Sequence, residues 1–407
     1  MSRKFNSLEL FAGCGGLLDG FEKSNFYNTI AVVEWEKVSC NTLIKRLKDR
    51  YGYKNAEHKV LRFDIQQTKK LINGWDNDYI YGSNNGLKSL IGNRKVDIII
   101  GGPPCQAYSL AGRIQDKNGM KNDYRNYLFE SYLEIVKEFN PRLIIFENVT
   151  GMLSAKPDGT NITDKVKEGF NNLGFDVIDN FKNAVIDMSE YGVPQKRKRV
   201  ILLGLNKHFF RNNKMLIKKF YKEILPKYKT SKTPTVYNAI HDLPALYPSE
   251  TDFWVGRKKF SHKPHETNIN FHCPRYHNKR DIQIFKTLAY DIYSRKGKYS
   301  NIEELKKFYA MQTGKTSNIH KYYVLRWNKP SNTIPAHLKK DGLRHIHPDH
   351  EQARTITVRE AARLQTFDDN YEFTGSMTSA YEQAGNAVPP LFSEKLAHAV
   401  YELLIHP

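Results

Sequence analysis

The chain has 407 residues of which 40% are hydrophobic, enough for two ordinary domains or one large core with an attached lobe. Its longest apolar runs fall far short of the ~20 residues a membrane helix needs, and the opening MSRKFNSLEL has no hydrophobic signal core, so a soluble intracellular protein away from any membrane is expected. Lys and Arg number 63 against 43 Asp and Glu, and the resulting +20 suits a chain that works against a polyphosphate partner without naming it.

The first half alternates short apolar runs with segments of helical period. Strands are predicted at residues 8–11, 30–34, 96–100, 143–146, 175–178 and 200–203, with a further strand ending at Asp64-Ile65. Between two of them, Leu128, Phe129, Tyr132, Ile135, Val136 and Phe139 recur at helical spacing and stop before Pro141, as a crossover helix would. Strand, helix, strand in succession predicts an α/β fold with a doubly wound, mostly parallel sheet. Residues 76–86 read as a flexible surface insertion.

From residue 206 to about 323 the pattern dissolves into Lys, Tyr, His and Asn, with Lys218, Lys219, Lys222, Lys227 and Lys229 crowded together. A separate, smaller basic domain is expected there. Helical signal returns at 357–367 and again at 389–404. The expected division is a first domain of residues 1–205 completed by 380–407, and a small domain of 206–379.

Cys14, Cys40, Cys105 and Cys273 form no Cys-x-x-Cys pair, so neither a disulfide framework nor a metal site is expected, and each is read singly. Cys40 and Cys273 read as small buried hydrophobes. Cys105 differs, because Gly101-Gly102-Pro103-Pro104-Cys105-Gln106-Ala107-Tyr108-Ser109 follows directly on the apolar run VDIII. Rigid turns at the carboxyl edge of a parallel sheet hold exposed nucleophiles where open α/β folds bind ligands.

Three strand tips suggest a nucleotide-like ligand at the same edge. The run Leu8-Glu9-Leu10-Phe11 enters Ala12-Gly13-Cys14-Gly15-Gly16, and glycines at a strand-to-helix turn let backbone N–H groups approach a ligand. Glu34 offers a carboxylate for ribose hydroxyls, Trp35 an indole for a base, and Asp64 a partner for an amino group. Singly, each has an ordinary reading as a turn glycine, a surface Glu or a core Trp; the succession favours the ligand. The run RLIIF delivers Glu147, a candidate acid or base. In Gln195-Lys196-Arg197-Lys198-Arg199 an extended backbone would turn both arginines to one face and both lysines to the other.

In chain order, FAGCGG, EW, DI, GGPPCQAYS, ENVTGML, YGVPQKRKRV, TVREAARLQTF and GNAVPP together resemble the C5-cytosine DNA methyltransferase family over nearly the whole chain outside the basic region. The resemblance implies a large cofactor and catalytic domain, Rossmann-like and closed by the C-terminal helix, with target recognition in the small domain at about 206–323. It implies S-adenosyl-L-methionine as cofactor, with Phe11, Gly13, Gly15, Gly16, Glu34, Trp35, Asp64, Ile65, Leu128 and Asn386 around it. Cys105 matches the nucleophile, Glu147 the residue gripping the cytosine ring, and Arg197 and Arg199 its supports. Gln106, Ser109, Arg125 and Gln195 match DNA-facing or mobile-loop positions.

Cytosine C5 is a poor nucleophile, and a thiolate adding to C6 makes it a better one while a carboxyl at N3 drains charge from the ring. A stacked base is out of reach, so base flipping follows. Two positions depart from the family pattern: Asn126 follows Arg125 where glycine is frequent, and Asp368 stands where proline is usual. The implied substrate is double-stranded DNA, in the cytoplasm and nucleoid-associated through it. A monomer is expected, and a restriction endonuclease sharing the target sequence is an available partner. An amino-methylating DNA enzyme would need an Asn/Asp-Pro-Pro-Tyr block and is disfavoured by Pro-Pro-Cys. A tRNA cytosine-5 methyltransferase and a non-catalytic DNA-binding regulator stay open as alternatives.

Overall fold

The computed structural model describes residues 4–104, 128–156, 159–263 and 269–406. The chain folds as two compact units, one of Met1–Gly192, Arg197–Ser231 and Ala387–Pro407, the other of Val193–Lys196 and Lys232–Asn386. No helix among the described residues is long and apolar enough to cross a membrane.

The first unit is built on strands β1 (Phe5–Leu10), β2 (Tyr27–Glu34), β3 (Val60–Arg62), β4 (Trp75–Asp78), β5 (Gly82–Asn84), β6 (Ile98–Gly101), β7 (Leu143–Val149), β8 (Phe175–Val177), β9 (Val185–Asp187) and β10 (Lys198–Asn206). Eight of them form one sheet in the order β3-β2-β1-β6-β7-β10-β8, with β9 pairing β10. The pairings from β3 through β7 are parallel. β10 runs antiparallel to β7, β8 and β9. The chain reaches β10 from β9 through the short turn Met188–Tyr191 rather than a crossover helix, and a short connection makes antiparallel neighbours.

The helix Leu128–Phe139 buries Leu128, Phe129, Tyr132, Ile135 and Val136. These join Leu8, Leu10, Ile99, Ile144 and Phe146 in one core cluster, while Val32 packs with Leu18, Cys40, Leu43 and Leu47 in another. Two separate clusters fed by one sheet are what a doubly wound fold requires. The chain winds from β1 to β2 and β3 on one side, then returns to β6 and β7 on the other. The turns after β1 and β6 therefore flank the reversal of strand order, where such sheets open a crevice.

Each predicted strand is present, extended or trimmed at its ends, and three expectations are corrected. β3 stops at Arg62, so Asp64 and Ile65 lie beyond it in a turn where Asp64 accepts the Gln66 N–H at 3.0 Å. The insertion at 76–86 is an ordered hairpin, β4 and β5, with Trp75 stacked on Phe63 at 3.9 Å between ring centroids. Residues 206–231 belong to the first unit, not the second, because Phe220, Ile224 and Leu225 are buried and the Tyr221 hydroxyl donates to Ile201 O and accepts from Leu203 N on β10.

The second unit holds a hairpin of β11 (Pro248–Val255) and β12 (Lys258–His262), helices Lys279–Tyr293 and Ile302–Thr313, and helix Val358–Leu364. The last carries a capping box: Thr357 Oγ1 accepts the Glu360 N–H while the Glu360 carboxylate accepts the Thr357 N–H. Arg354 clamps the same carboxylate with two hydrogen bonds of 2.7 and 2.6 Å, and Arg359 donates to the carbonyls of Asn270, Asp368 and Tyr371. Arg359 thus fixes the turn at Asp368, and no proline is needed there.

Candidate active site

The turn after β1 enters left-handed backbone at Phe11 (φ 55), Gly13 (φ 56) and Gly15 (φ 88). A phenylalanine in that region is an uncommon conformation of the kind concentrated at functional sites. A side chain built on Gly13 would meet nothing within 4 Å, so the space over this turn is open. Glu34, at the tip of β2, turns its carboxylate into the turn: one oxygen accepts the Gly13 N–H at 2.7 Å, the other those of Trp35 and Glu36 at 2.8 Å. Burial pushes the Glu34 carboxyl up and the three N–H groups oppose it. A carboxylate offers about four acceptor positions, so one stays available for a ligand hydroxyl. Next to it the indole of Trp35 is 49% exposed.

Gly16 has a further reason to be glycine. A Cβ there would stand 2.2 Å from Val388 O, so the glycine turn is closed from behind by residues 387–388. Helix Pro390–Ile405 then packs on helix Gly16–Lys23, with the Tyr27 hydroxyl donating to Ala397 O at 2.8 Å and Phe26 stacked on Tyr401. Asn386 is the exposed last residue of helix Met377–Asn386 in the second unit, one peptide before Ala387.

On the other side of the crevice, β7 ends in Glu147, Asn148 and Val149. Arg199 on β10 pairs with Val149, so Arg199 and Glu147 are diagonal neighbours on one face, and Arg199 Nε reaches Glu147 Oε1 at 3.0 Å. Burial raises the Glu147 pKa, and the guanidinium groups of Arg199 and Arg197 pull it partly back. Arg197 is buried and donates to Ala387 O at 2.9 Å, while Lys196 and Lys198 are exposed, which is the alternation an extended segment predicts. A Cβ on Gly102 would lie 2.5 Å from Glu147 Oε2, so glycine there makes room for the carboxylate. Asn148 donates to Pro103 O at 3.4 Å and ties the β6 turn to β7.

Cys105, Gln106, Ser109 and Arg125 lie outside the described residues. Leu128 is buried at the start of its helix, and Ile65 is buried beside the Asp64 turn. Gln195 is fully buried, with Nε2 donating to Gln365 Oε1 and Leu364 O and Oε1 accepting the Ile334 N–H, so its amide knits the second unit. Two contributors carry no signal of their role in the sequence. Asn148 is one, although it stands beside Glu147 in the motif. Arg62 is the other: its guanidinium donates to Trp35 O at 3.3 Å and Ile80 O at 3.2 Å, tying the backbone at Trp35 to the loop of the β4–β5 hairpin. No local pattern marks that role, since both partners are backbone carbonyls distant in sequence.

A mostly parallel doubly wound sheet, an open glycine turn with a carboxylate and an indole, and a carboxyl paired with arginines across the crevice define a transferase fold built around a nucleoside cofactor. The chain belongs to the C-5 cytosine-specific DNA methylase family, whose model matches residues 5–402. It is 35% identical to the type II methyltransferase M.Bpa9945I of Bacillus paralicheniformis, over 98% of each chain. It is 30% identical to the type II methyltransferase M.DdeI of Desulfomicrobium norvegicum, over 97% of this chain and 88% of that one. An E. coli prophage protein described as a DNA modification methyltransferase shares the fold with a TM-score of 0.63 at 22% identity, covering 99% of this chain and all of its own. The activity is methyl transfer from S-adenosyl-L-methionine to C5 of cytosine in DNA.

Proposed function

We propose that the chain flips a cytosine out of a specific duplex sequence and attacks it with Cys105, using Glu147, Arg197 and Arg199 as the ring-binding set. The observation that carries this reading is the Glu147 carboxyl, desolvated yet held 3.0 Å from Arg199, on the sheet edge where Gly102 and Pro103 lead the chain to Cys105. Burial favours the protonated form of this carboxyl and the two arginines oppose it; in the proposed step Glu147 gives a proton to N3 as the sulfur adds. That proton neutralises the charge that enters the ring when the Cys105 sulfur bonds to C6, and C5 becomes nucleophilic. Once C5 carries the methyl group, the N3 proton returns to Glu147, and loss of the C5 proton to water with departure of Cys105 as thiolate restores the aromatic ring.

When bound, S-adenosyl-L-methionine supplies a methyl group on a cationic sulfur. The residues present fit its adenosine half: Glu34 keeps an acceptor position for a ribose hydroxyl, Trp35 presents an indole face, and Gly13 leaves the space open. Phe11, Gly15, Gly16, Asp64, Ile65 and Leu128 complete this pocket.

Sequence choice resides in the second unit. Because curated relatives are named type II methyltransferases, we place the chain in a restriction-modification system, acting as a cytoplasmic, nucleoid-associated monomer that protects sites from a cognate endonuclease. The test is transfer of labelled methyl groups to duplex DNA, with a tRNA transcript as control. A duplex with 5-fluorocytosine at the target should trap the wild type covalently, and Cys105→Ser should abolish both turnover and trapping. Trapping that survives the serine substitution would remove Cys105 from its role.

A further inference from the structure

The β11–β12 hairpin has features its fold does not require. Val255 pairs with Lys258 across a two-residue loop, Gly256-Arg257, and Gly256 at φ 59 supplies the left-handed first position that a tight hairpin turn of the II′ type demands. The loop is tight, yet the residues before it are apolar and uncovered: Trp254 is 64% exposed and Val255 57%. An indole left in water at the end of a hairpin forfeits the burial that normally keeps tryptophan inside.

The hairpin is also stiffened close behind this tip. Phe253 stacks on Phe260 with centroids 5.6 Å apart and planes at 16°. Trp254 pairs with Lys259, whose ammonium lies 2.7 Å from Asp252 Oδ2 and 3.0 Å from the Tyr276 hydroxyl, while that hydroxyl donates to Asp252 at 2.9 Å. The triangle Asp252, Lys259, Tyr276 anchors both strands to a segment outside the hairpin. Two cations remain at the tip, Arg257 and Lys258, both exposed, and no ion pair with either is present among the described residues.

We propose that the tip formed by Trp254, Val255, Arg257 and Lys258 is the element that enters the major groove of the target duplex and sets much of the sequence preference. This rests on the reading that the second unit recognises DNA. A two-stranded ribbon fits the ~12 Å width of that groove, which carries the full donor and acceptor code. Arg257 has the fork geometry for the two acceptors of guanine, Lys258 suits a phosphate, and the indole and isopropyl groups fit the thymine methyl and sugar edges. The positive tip excludes an acceptor-poor apolar protein surface as the better match, and anchoring before binding limits the entropy lost on contact.

The test uses the full-length protein with Trp254→Ala, Arg257→Ala and Lys258→Ala, each checked for an unchanged melting temperature and cofactor affinity. Wild-type methyl transfer to the cognate duplex is measured first, and its absence would sink the enzymatic reading rather than this one. Given that transfer, Trp254→Ala should weaken cognate binding about tenfold or more and compress the ratio of cognate to non-cognate affinity. Arg257→Ala should relax preference at one base pair, seen by bisulfite sequencing of a randomised-site library. Lys258→Ala should lower the salt slope by about one and leave the preference unchanged. Cognate affinity within twofold of wild type and an unaltered methylated sequence in both Trp254→Ala and Arg257→Ala would overturn the proposal. So would loss of self-association in Trp254→Ala, followed by sedimentation, with DNA binding intact.

Discussion

Arg199 and Glu147 face each other across an antiparallel pair, Nε to Oε1 at 3.0 Å, diagonal to one another in the register. Burial raises the carboxyl pKa and this guanidinium is the largest influence lowering it. Removing the cation therefore moves the pKa further up. Since the proposed working form is the protonated carboxyl, the alkaline limb of the transfer rate should shift to higher pH in Arg199→Ala, with a rate loss of about 10²-fold from the lost positioning. Glu147→Gln, which cannot give up a proton, should lose about 10²-fold to 10⁴-fold and lack that limb altogether. Single-turnover rates against pH distinguish the cases; an unmoved limb in Arg199→Ala would show that Glu147 is not the titrating group.

Glu34 does two jobs at once. Its carboxylate holds three backbone N–H groups and, in the proposed pocket, a ribose hydroxyl. Glu34→Ala should therefore weaken cofactor binding in calorimetry and also cost about 1–3 kcal/mol of stability, because buried donors lose their acceptor. Glu34→Gln, keeping one oxygen, should lie between wild type and alanine in both measurements. A cofactor loss with no stability change would mean that the N–H groups find water instead.

The tips of β1, β2, β6 and β7 were legible because each follows an apolar run of strand length, whereas β3 stops at Arg62, short of Asp64, and the helix Leu128–Phe139 was legible because its period is unbroken up to Asn140. The pairing of Arg197 and Arg199 on one face followed from alternation alone. What could not be read was long-range. Gln195 lies beside those arginines in sequence, yet its amide is consumed by Gln365, Leu364 and Ile334, partners 139 or more residues away. The lysines at 218–229 looked like part of a recognition domain because charge dominates the pattern there, and the buried Phe220, Ile224 and Leu225 that fix this segment to the catalytic sheet are too sparse to show a period.

That reassignment of residues 206–231 gives a sharper domain exchange. Replacing 232–323 with the corresponding segment of a relative of different target should carry the new methylated sequence with it, whereas replacing 206–231 should leave the sequence unchanged and alter only stability and salt dependence. Bisulfite sequencing of plasmid from cells expressing each chimera reads this directly. A target that moves with 206–231 would return recognition to the lysine-rich segment.

The second unit buries several histidines without giving them a charge partner strong enough to keep them protonated. Burial pushes His262 and His345 down to about 4 and His347 down to about 3, and lowers His272 and His277 as well. As pH falls below the ordinary value of 6.5, the unfolded chain takes up protons that the folded unit refuses. Stability is therefore fully present above about 6.5 and is lost as pH falls toward 4, at up to about 1.4 kcal/mol per pH unit for each histidine. Trp327 lies edge-on to His347 at 5.4 Å, so its fluorescence, with the other three tryptophans replaced by phenylalanine, reports on this unit. A urea midpoint that is flat from pH 7 to 4 would contradict the assignment.

Gly16 and Gly20 lie one turn apart on helix Gly16–Lys23 and face the C-terminal segment. A Cβ on Gly20 would stand 2.3 Å from both Glu394 N and Ser393 Cβ, and one on Gly16 would stand 2.2 Å from Val388 O. Neither backbone can yield without moving the helix Pro390–Ile405, so Gly20→Ala should cost about 1–3 kcal/mol or more, seen as a lower melting temperature. Gly13 is the contrasting case: its φ of 56 makes alanine strained, but nothing would touch the new methyl group. Alanine there costs about 1–2 kcal/mol from the left-handed backbone and fills the space proposed for adenosine. Cofactor affinity should therefore fall far more in Gly13→Ala than in Gly20→Ala at equal loss of stability. If calorimetry on the folded proteins shows cofactor affinity tracking melting temperature equally in both variants, the open space over Gly13 is not the cofactor pocket, and the glycine turn serves packing alone.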